Sequence, residues 1–213
     1  MKKRSEPSLS VTPEKTSFNG EILRHDREWY EKETITGEII DHSFSECRFD
    51  HVTLPESMES CGYTDCLFVY CDFSNCQMKD SAFRRCAFED CRLIGTDLED
   101  SFFEDIRFQH CSMRYASFGA SRWKRGAILS SECSECSFTS CTFADMELSE
   151  DLFEQAEFGG CRLAGMDFST CSISGMLVSM VDLKGIIVNE EQAVVLAELL
   201  GIHVKHDSRN MLG

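Results

Sequence analysis

The chain has 213 residues, 37 acidic against 21 basic side chains and a formal net charge of −16. That balance excludes a general nucleic-acid-binding surface, which needs a basic face to neutralise phosphates, and no run of about 18 apolar residues offers a membrane-spanning helix. The 13 cysteines would suit a secreted disulfide protein, yet MKKRSEPSLSVTPEKTSFNG opens on basic residues that no apolar stretch follows; no secretory leader is expected, and the reducing cytoplasm is the expected compartment.

Residues 1–34 carry no clear repeat and are read as an N-terminal extension, Met1–Thr16 disordered and EILRHDREWYEKE, Glu21–Glu33, a short helix or an irregular first coil. Over residues 35–188 a period of five takes over. Every fifth residue from Tyr63 to Val188 is large and apolar except Cys133, and two residues before each stands a column dominated by small ones, Cys61, Cys66, Cys71, Cys76, Ser81, Cys86 and onward. With Cys47, twelve of the 13 cysteines stand in that small column, so they are expected to pack inward, where cysteine acts as a compact hydrophobe with a weak S–H donor. A period of five fits neither the 3.6 of a helix nor the 2.0 of a strand. It does fit a chain that turns a corner once per repeat, so that roughly 20 residues close a four-sided coil and coils stack at about 4.8 Å. The prediction is an all-β solenoid with ladders of Phe68, Phe88 and Phe108, of Phe83 and Phe103, and of Phe138 and Phe158.

Two segments interrupt the pattern. After Leu54 the next large residue in phase, Tyr63, arrives nine residues later instead of ten, so Pro55 and the stretch holding Glu56, Met58 and Glu59 are expected as a loop. At Arg122, Trp123, Lys124 and Arg125 the count survives, but these form the densest basic cluster of the repeat region and Gly126 replaces a small core residue; the segment either projects or stays coiled with Trp123 in the core. The carboxylates fall into two groups: Glu89, Asp90, Asp97, Glu99, Asp100, Glu104 and Asp105, and then Asp145, Glu147, Glu150, Asp151, Glu154 and Glu157. They read either as a solvated face or as a surface offered to a basic partner. Asp151 stands in the small column, where a local hydrogen bond to backbone is expected.

Chemistry has little to work with. The six histidines, His25, His42, His51, His110, His203 and His206, are read as lying outside both inward columns, with no nucleophile motif beside them. Cys133-Ser-Glu-Cys136 is read as two inward side chains rather than half a zinc site. No enzyme activity, cofactor or metal is expected. Residues 189–213 form a tail: Asn189 and Gln192 have capping-box spacing and Gly201 is a stop, which predicts a helix from Glu190 to Leu200. Its apolar residues, Val195, Leu196, Leu199 and Leu200 among them, are more than a cap on one open end requires, so a simple cap and a homodimer interface both remain as readings.

A small residue, any residue, then Leu or Phe, held in register over about Gly37 to Val188, resembles the pentapeptide-repeat proteins. VDLKGIIVNEEQAVVLAELLGIHV, Val181–Val204, is similar to the tail of the Qnr and MfpA quinolone-resistance proteins. The resemblance implies a right-handed quadrilateral β-helix with a short C-terminal helix that pairs two chains tail to tail. It also implies two projecting loops, at about Glu56, Met58 and Glu59 and at about Arg122–Arg125, and a partner: DNA gyrase, with topoisomerase IV as a second candidate. About 7.5 coils at about 4.8 Å make a rod of about 36 Å and a dimer of about 70 Å, comparable with about 20 base pairs. On this reading an acidic rod, binding neither DNA nor membrane itself, presents itself as duplex DNA and relieves quinolone poisoning. The alternative is a pentapeptide-repeat interaction scaffold or an immunity protein with a different basic partner.

Overall fold

On two sides of the coil the typical unit is a three-residue strand followed by one corner residue. In Gly62–Thr64 the middle residue, Tyr63, is buried, Asp65 then turns the chain at a φ of 54°, and Cys66 opens the next side. The computed structural model describes residues 3–9, 12–199 and 201–205. Within it the coil repeats as parallel stacks. His25, Phe44, Tyr63, Phe83, Phe103, Trp123 and Phe143 lie in register on one side, and Tyr30, Phe49, Phe68, Phe88, Phe108, Ile128 and Leu148 on the next. The other two sides are held by single bridges, such as Asp72 to Arg92 to Ser112 and Gln77 to Asp97 to Ser117. The result is a β-solenoid closed at its C-terminal end by one short helix, Glu190–Leu199.

The expected aromatic ladders are present: Phe68 stacks on Phe88 at 4.5 Å between ring centroids, Phe88 on Phe108 at 4.7 Å, Phe83 on Phe103 at 5.2 Å and Phe138 on Phe158 at 4.9 Å. All 13 cysteines are free and buried. Their place in the small column has a hydrogen-bonding reason as well as a steric one. The Cys86, Cys91 and Cys111 thiols donate at 3.5–3.6 Å to the carbonyls of Tyr63, Phe68 and Phe88, one coil earlier. Thr96 does the same to Phe73 at 2.8 Å. A group that is small yet able to donate satisfies an inward-facing carbonyl without adding volume. Burial holds the Cys66, Cys91 and Cys133 thiols well above their ordinary range, which keeps them from acting as nucleophiles.

A third column, absent from the sequence reading, sits at the corners. From Arg27 to Gln155 the residue after each strand takes a left-handed conformation, with φ near +55° at Asp65, Asn75, Asp80, Asp90, Asp100 and Asp105 alike. Asp, Asn and Gly tolerate that region best because other side chains crowd the following carbonyl, at a cost of about 1–2 kcal/mol. Part of the acidity of this chain is therefore corner chemistry. Ala120 occupies such a corner at a φ of 56° and is exposed. Ala120→Gly is expected to stabilise the fold by about 0.5–1 kcal/mol, read as a rise in denaturation midpoint; a loss of stability would show that the corner is not strained.

Three sequence expectations change. The stretch after Leu54 is not a loop: Ser57–Glu59 is a strand paired with Glu38–Ile40, Met58 is 0% exposed, Pro55 is buried and the Glu56 carbonyl accepts from Gln77. The missing residue comes out of the corner instead. The step from Leu54 to Met58 is four residues and turns without a left-handed residue, a conformation Pro55 cannot take; the step from Ile35 to Ile39 is also four, turned by Gly37 at a φ of 96°. Early coils consequently pair at a spacing of 19, as in Arg48 with Leu67, and later ones at 20, as in Leu67 with Ala87.

Once those shorter steps are counted, the repeat begins before residue 35. Arg24–Asp26 and Glu28–Glu31 are sides of the first coil, Glu14–Lys15 pairs in parallel with Glu28 and Trp29, and Lys3–Leu9 lies along the rod; disorder was expected up to Thr16. His25 and His42 belong to the large and small columns after all, at 2% and 4% exposure. They close the N-terminal end with Tyr30, Glu28 and Phe18. His25 Nε2 lies 3.2 Å from His42 Nδ1, the Tyr30 hydroxyl and Glu28 both reach His25 Nδ1, and the His25 ring stacks on Phe44 at 4.6 Å. Burial and the neighbouring His25 hold His42 below its usual range, which favours its neutral ring.

Candidate functional site

A coil of 20 residues brings side chains i and i+20 within about 4.8 Å of each other. That one relation rearranges both surfaces read from the sequence. Glu104 meets Lys124 at 2.6 Å and Arg125 at 2.9 Å, and Arg125 forks onto both oxygens of Asp105 at 2.7 Å. These pairs hold the Glu104 carboxyl low through Lys124 and the Asp105 carboxyl low through Arg125. Glu89 pairs with Arg107 at 2.7 Å, while Asp97 and Glu99 share Lys79 at 3.0 and 3.3 Å. Asp90 has His110 at 3.7 Å. Of this first acidic group Asp100 has no cationic partner among the described residues, and Asp90 has only that histidine. The group is therefore largely neutralised by bases from neighbouring coils, and Glu104 and Asp105 are neutralised by Lys124 and Arg125 of the basic cluster itself.

Nor does that cluster project. Arg122–Lys124 is a strand between Phe102–Glu104 and Thr142–Ala144. Trp123 is 2% exposed, lies 4.3 Å from the Phe103 ring and donates its indole N–H to Ser121 at 2.8 Å. Gly126 follows from this: a Cβ there would meet Met146 Sδ at 2.7 Å and Trp123 Cε3 at 3.0 Å. The large Trp123 and the sulfur of Met146 fill the space that a small side chain occupies elsewhere in the column. A coil rather than a loop satisfies the backbone and buries the indole together.

The second acidic group is the open one. Asp145, Glu150, Glu154 and Glu157 are exposed and have no cationic partner among the described residues; Glu150 and Glu154 accept from Ser130 and Ser172. Among the described residues Glu147 has one cationic partner, Arg4 of the N-terminal arm, at 3.1 Å. The period of five distributes these carboxylates over successive sides and corners, so they form an arc around part of one coil rather than line one face.

Asp151 is not part of this surface. It is 0% exposed and accepts backbone N–H groups of Ser131 at 2.9 Å and Ser149 at 3.1 Å. Burial outweighs those two donors and pushes its carboxyl up from 3.8 to about 7. A folded pKa above the unfolded one means that the contribution to stability is complete below the unfolded value and is lost as pH rises toward 7. Asp151→Ser, which restores the residue type that Ser131 supplies one coil earlier, is expected to be more stable than the parent at pH 8 by a few kcal/mol, with the gain shrinking toward pH 4. Denaturation at the two pH values reads this; a gain that does not depend on pH would contradict it.

At the C-terminal end the capping box is reciprocal. Asn189 N–H donates to Gln192 Oε1 and Gln192 N–H to Asn189 Oδ1, both at 2.9 Å. The Gln192 amide also donates to the carbonyls of Phe168 and Cys171, which pins the helix over the open end of the last coils. Leu196 is buried there, 8% exposed and continuous with the core, so it faces its own chain and not outward as expected for an interface. Val195 is 43% exposed; the side chain of Leu199 and all of Leu200 lie outside the described residues. Around this end Leu177, Met180, Val181, Ile187, Val195 and Ile202 remain exposed. No helix among the described residues is long and apolar enough to cross a membrane.

Residues 61–135 match a family model described as a pentapeptide repeat region. Among curated proteins none matches the chain. Among solved structures the chain is similar to trypsin-treated QnrB1, a plasmid-mediated fluoroquinolone resistance protein, at 18% identity over 84% of this chain and 100% of that one with a TM-score of 0.39. It is also similar to HetL, a pentapeptide repeat protein of the cyanobacterium Nostoc, at 10% identity over 79% and 90% with a TM-score of 0.40. A pentapeptide repeat protein of the Arabidopsis thaliana thylakoid lumen gives 15% identity over 53% and 71% with a TM-score of 0.29.

Proposed function

We propose that this pentapeptide-repeat chain is an interaction protein rather than an enzyme, and that it offers an acidic, duplex-sized rod to the DNA-binding channel of a type II topoisomerase, DNA gyrase first and topoisomerase IV second, thereby protecting it from quinolones. The observation that carries the reading is the arc of exposed carboxylates without an ion-pair partner among the described residues, Asp145, Glu150, Glu154 and Glu157, on a parallel stack with a net charge of −16. Duplex DNA likewise presents charge from more than one side, at a regular rise. The partner is suggested by the similarity of Val181–Val204 to the Qnr and MfpA tail. A homodimer through the exposed apolar end, Met180, Val181, Val195 and Ile202, would double the length of the rod and set the two arcs near its centre.

Reversing Glu150, Glu154 and Glu157 to Lys is expected to weaken gyrase binding tenfold or more at low salt while the far-ultraviolet spectrum stays unchanged; binding by the parent should itself fall as salt screens exposed charges. Gyrase supercoiling with and without a fluoroquinolone, titrated with both proteins, provides the readout. Absence of binding at low salt, with supercoiling unaffected at any protein excess, would overturn the reading.

A further inference from the structure

The corner between the first two sides carries Asp65, Arg85, Asp105, Arg125 and Asp145 in successive coils, an alternation of sign. It holds the same three-group unit twice, two coils apart. Arg85 forks onto Asp65 at 2.8 and 2.6 Å, and Arg125 forks onto Asp105 at 2.7 Å. Each aspartate then accepts a further backbone N–H from the N-terminal arm, Ser8 at 3.1 Å on Asp65 and Ser5 at 3.0 Å on Asp105. The spacings match. Two coils rise about 9.6 Å, and three extended residues reach about 10 Å. The arm therefore climbs the rod in step with the units, with Glu6 against Arg107 and Arg4 against Glu147 on the way.

We propose that this corner is a docking strip for an extended, arginine- or lysine-bearing segment of a partner protein, and that the free chain keeps it occupied with its own arm, Lys3–Leu9. The strip reads backbone N–H groups through carboxylates that arginines orient, so it recognises an extended chain with little dependence on side chains, and it takes a basic side chain at its upper end. The fit of the resident arm is incomplete there. Arg4 Nε is buried without an acceptor, and Asp145, which lines the same cavity with Lys3, Arg4, Arg125, Gly126 and Glu147, has no cationic partner among the described residues. A buried donor left unpaired costs about 1–3 kcal/mol, so a segment that reaches Asp145 displaces the arm. Nothing in this proposal depends on the topoisomerase reading.

The test uses full-length chains. Ser5→Pro with Ser8→Pro removes both N–H donors and leaves the rod untouched. The probe is a fluorescent synthetic peptide with the sequence KKRSEPSLS, followed by polarisation at low salt. Arm release in the variant is checked by faster tryptic cleavage after Lys3, because a proline at position 5 itself blocks cleavage after Arg4. The expected result is binding to the double-proline chain at least tenfold tighter than to the parent, lost when Asp65→Asn and Asp105→Asn are added and lost for a peptide with its basic residues changed to Glu. Equal binding to the parent and the double-proline chain, or no binding to a double-proline chain whose arm is cleaved faster, would overturn it. So would a parent dimer that the two prolines convert to monomer, because the arm would then be exchanged between copies.

Discussion

Trp123→Ala is expected to lower the unfolding free energy by about 3–5 kcal/mol, the cost of deleting a large buried aromatic side chain. The indole packs against Phe103, Phe118 and Phe138, and its N–H is satisfied by Ser121. Deletion would leave a void beside Gly126, which has no side chain to fill it, and would leave the Ser121 hydroxyl with Cys141 Sγ, at 3.2 Å, in place of two partners. A projecting loop would behave differently, since exposed substitutions away from special features stay within about 0.5 kcal/mol. Chemical denaturation followed by circular dichroism distinguishes the two, and a change under about 1 kcal/mol would return Trp123 to the surface. Arg122→Ala, at an exposed position on the same strand, is the matched control and is expected to be nearly silent.

Leu196→Asp should have an effect of similar size with a different signature. Leucine truncation in a core costs about 2–5 kcal/mol, and here the replacement also places a carboxylate against the last coils. The helix Glu190–Leu199 is expected to detach, with loss of helical dichroism, while the aromatic ladders below it persist, because each coil of a solenoid depends chiefly on its immediate neighbours. Val195→Asp, one residue earlier and 43% exposed, should leave the helix in place. If the exposed apolar end pairs two chains, Val195→Asp shifts sedimentation toward monomer without loss of stability. Equal stability losses for the two variants would show that neither side chain is distinguished by burial.

What could be read from the sequence was whatever repeats over five residues or closes within three. The inward columns follow from the spacing of Phe68, Phe73, Phe83 and Phe88 alone, and the capping box follows from Asn189 and Gln192, because those side chains bond to backbone three residues away. The left-handed corners were also written there, as the recurrence of Asp and Asn at positions 65, 75, 80, 90, 100 and 105, although of these Asp90, Asp100 and Asp105 were taken simply for charge and the column as such was not seen. Tertiary structure alone decided which charges are free. Glu104 and Lys124 stand 20 residues apart and become neighbours only when the coil closes, so a segment that is acidic in sequence and a segment that is basic in sequence cancel on the surface. Whether Met58 and Trp123 enter the core or a loop depended on how a corner absorbs a missing residue and how Gly126 makes room. A short-range period specifies the side a residue occupies; the coil-to-coil register specifies what it touches.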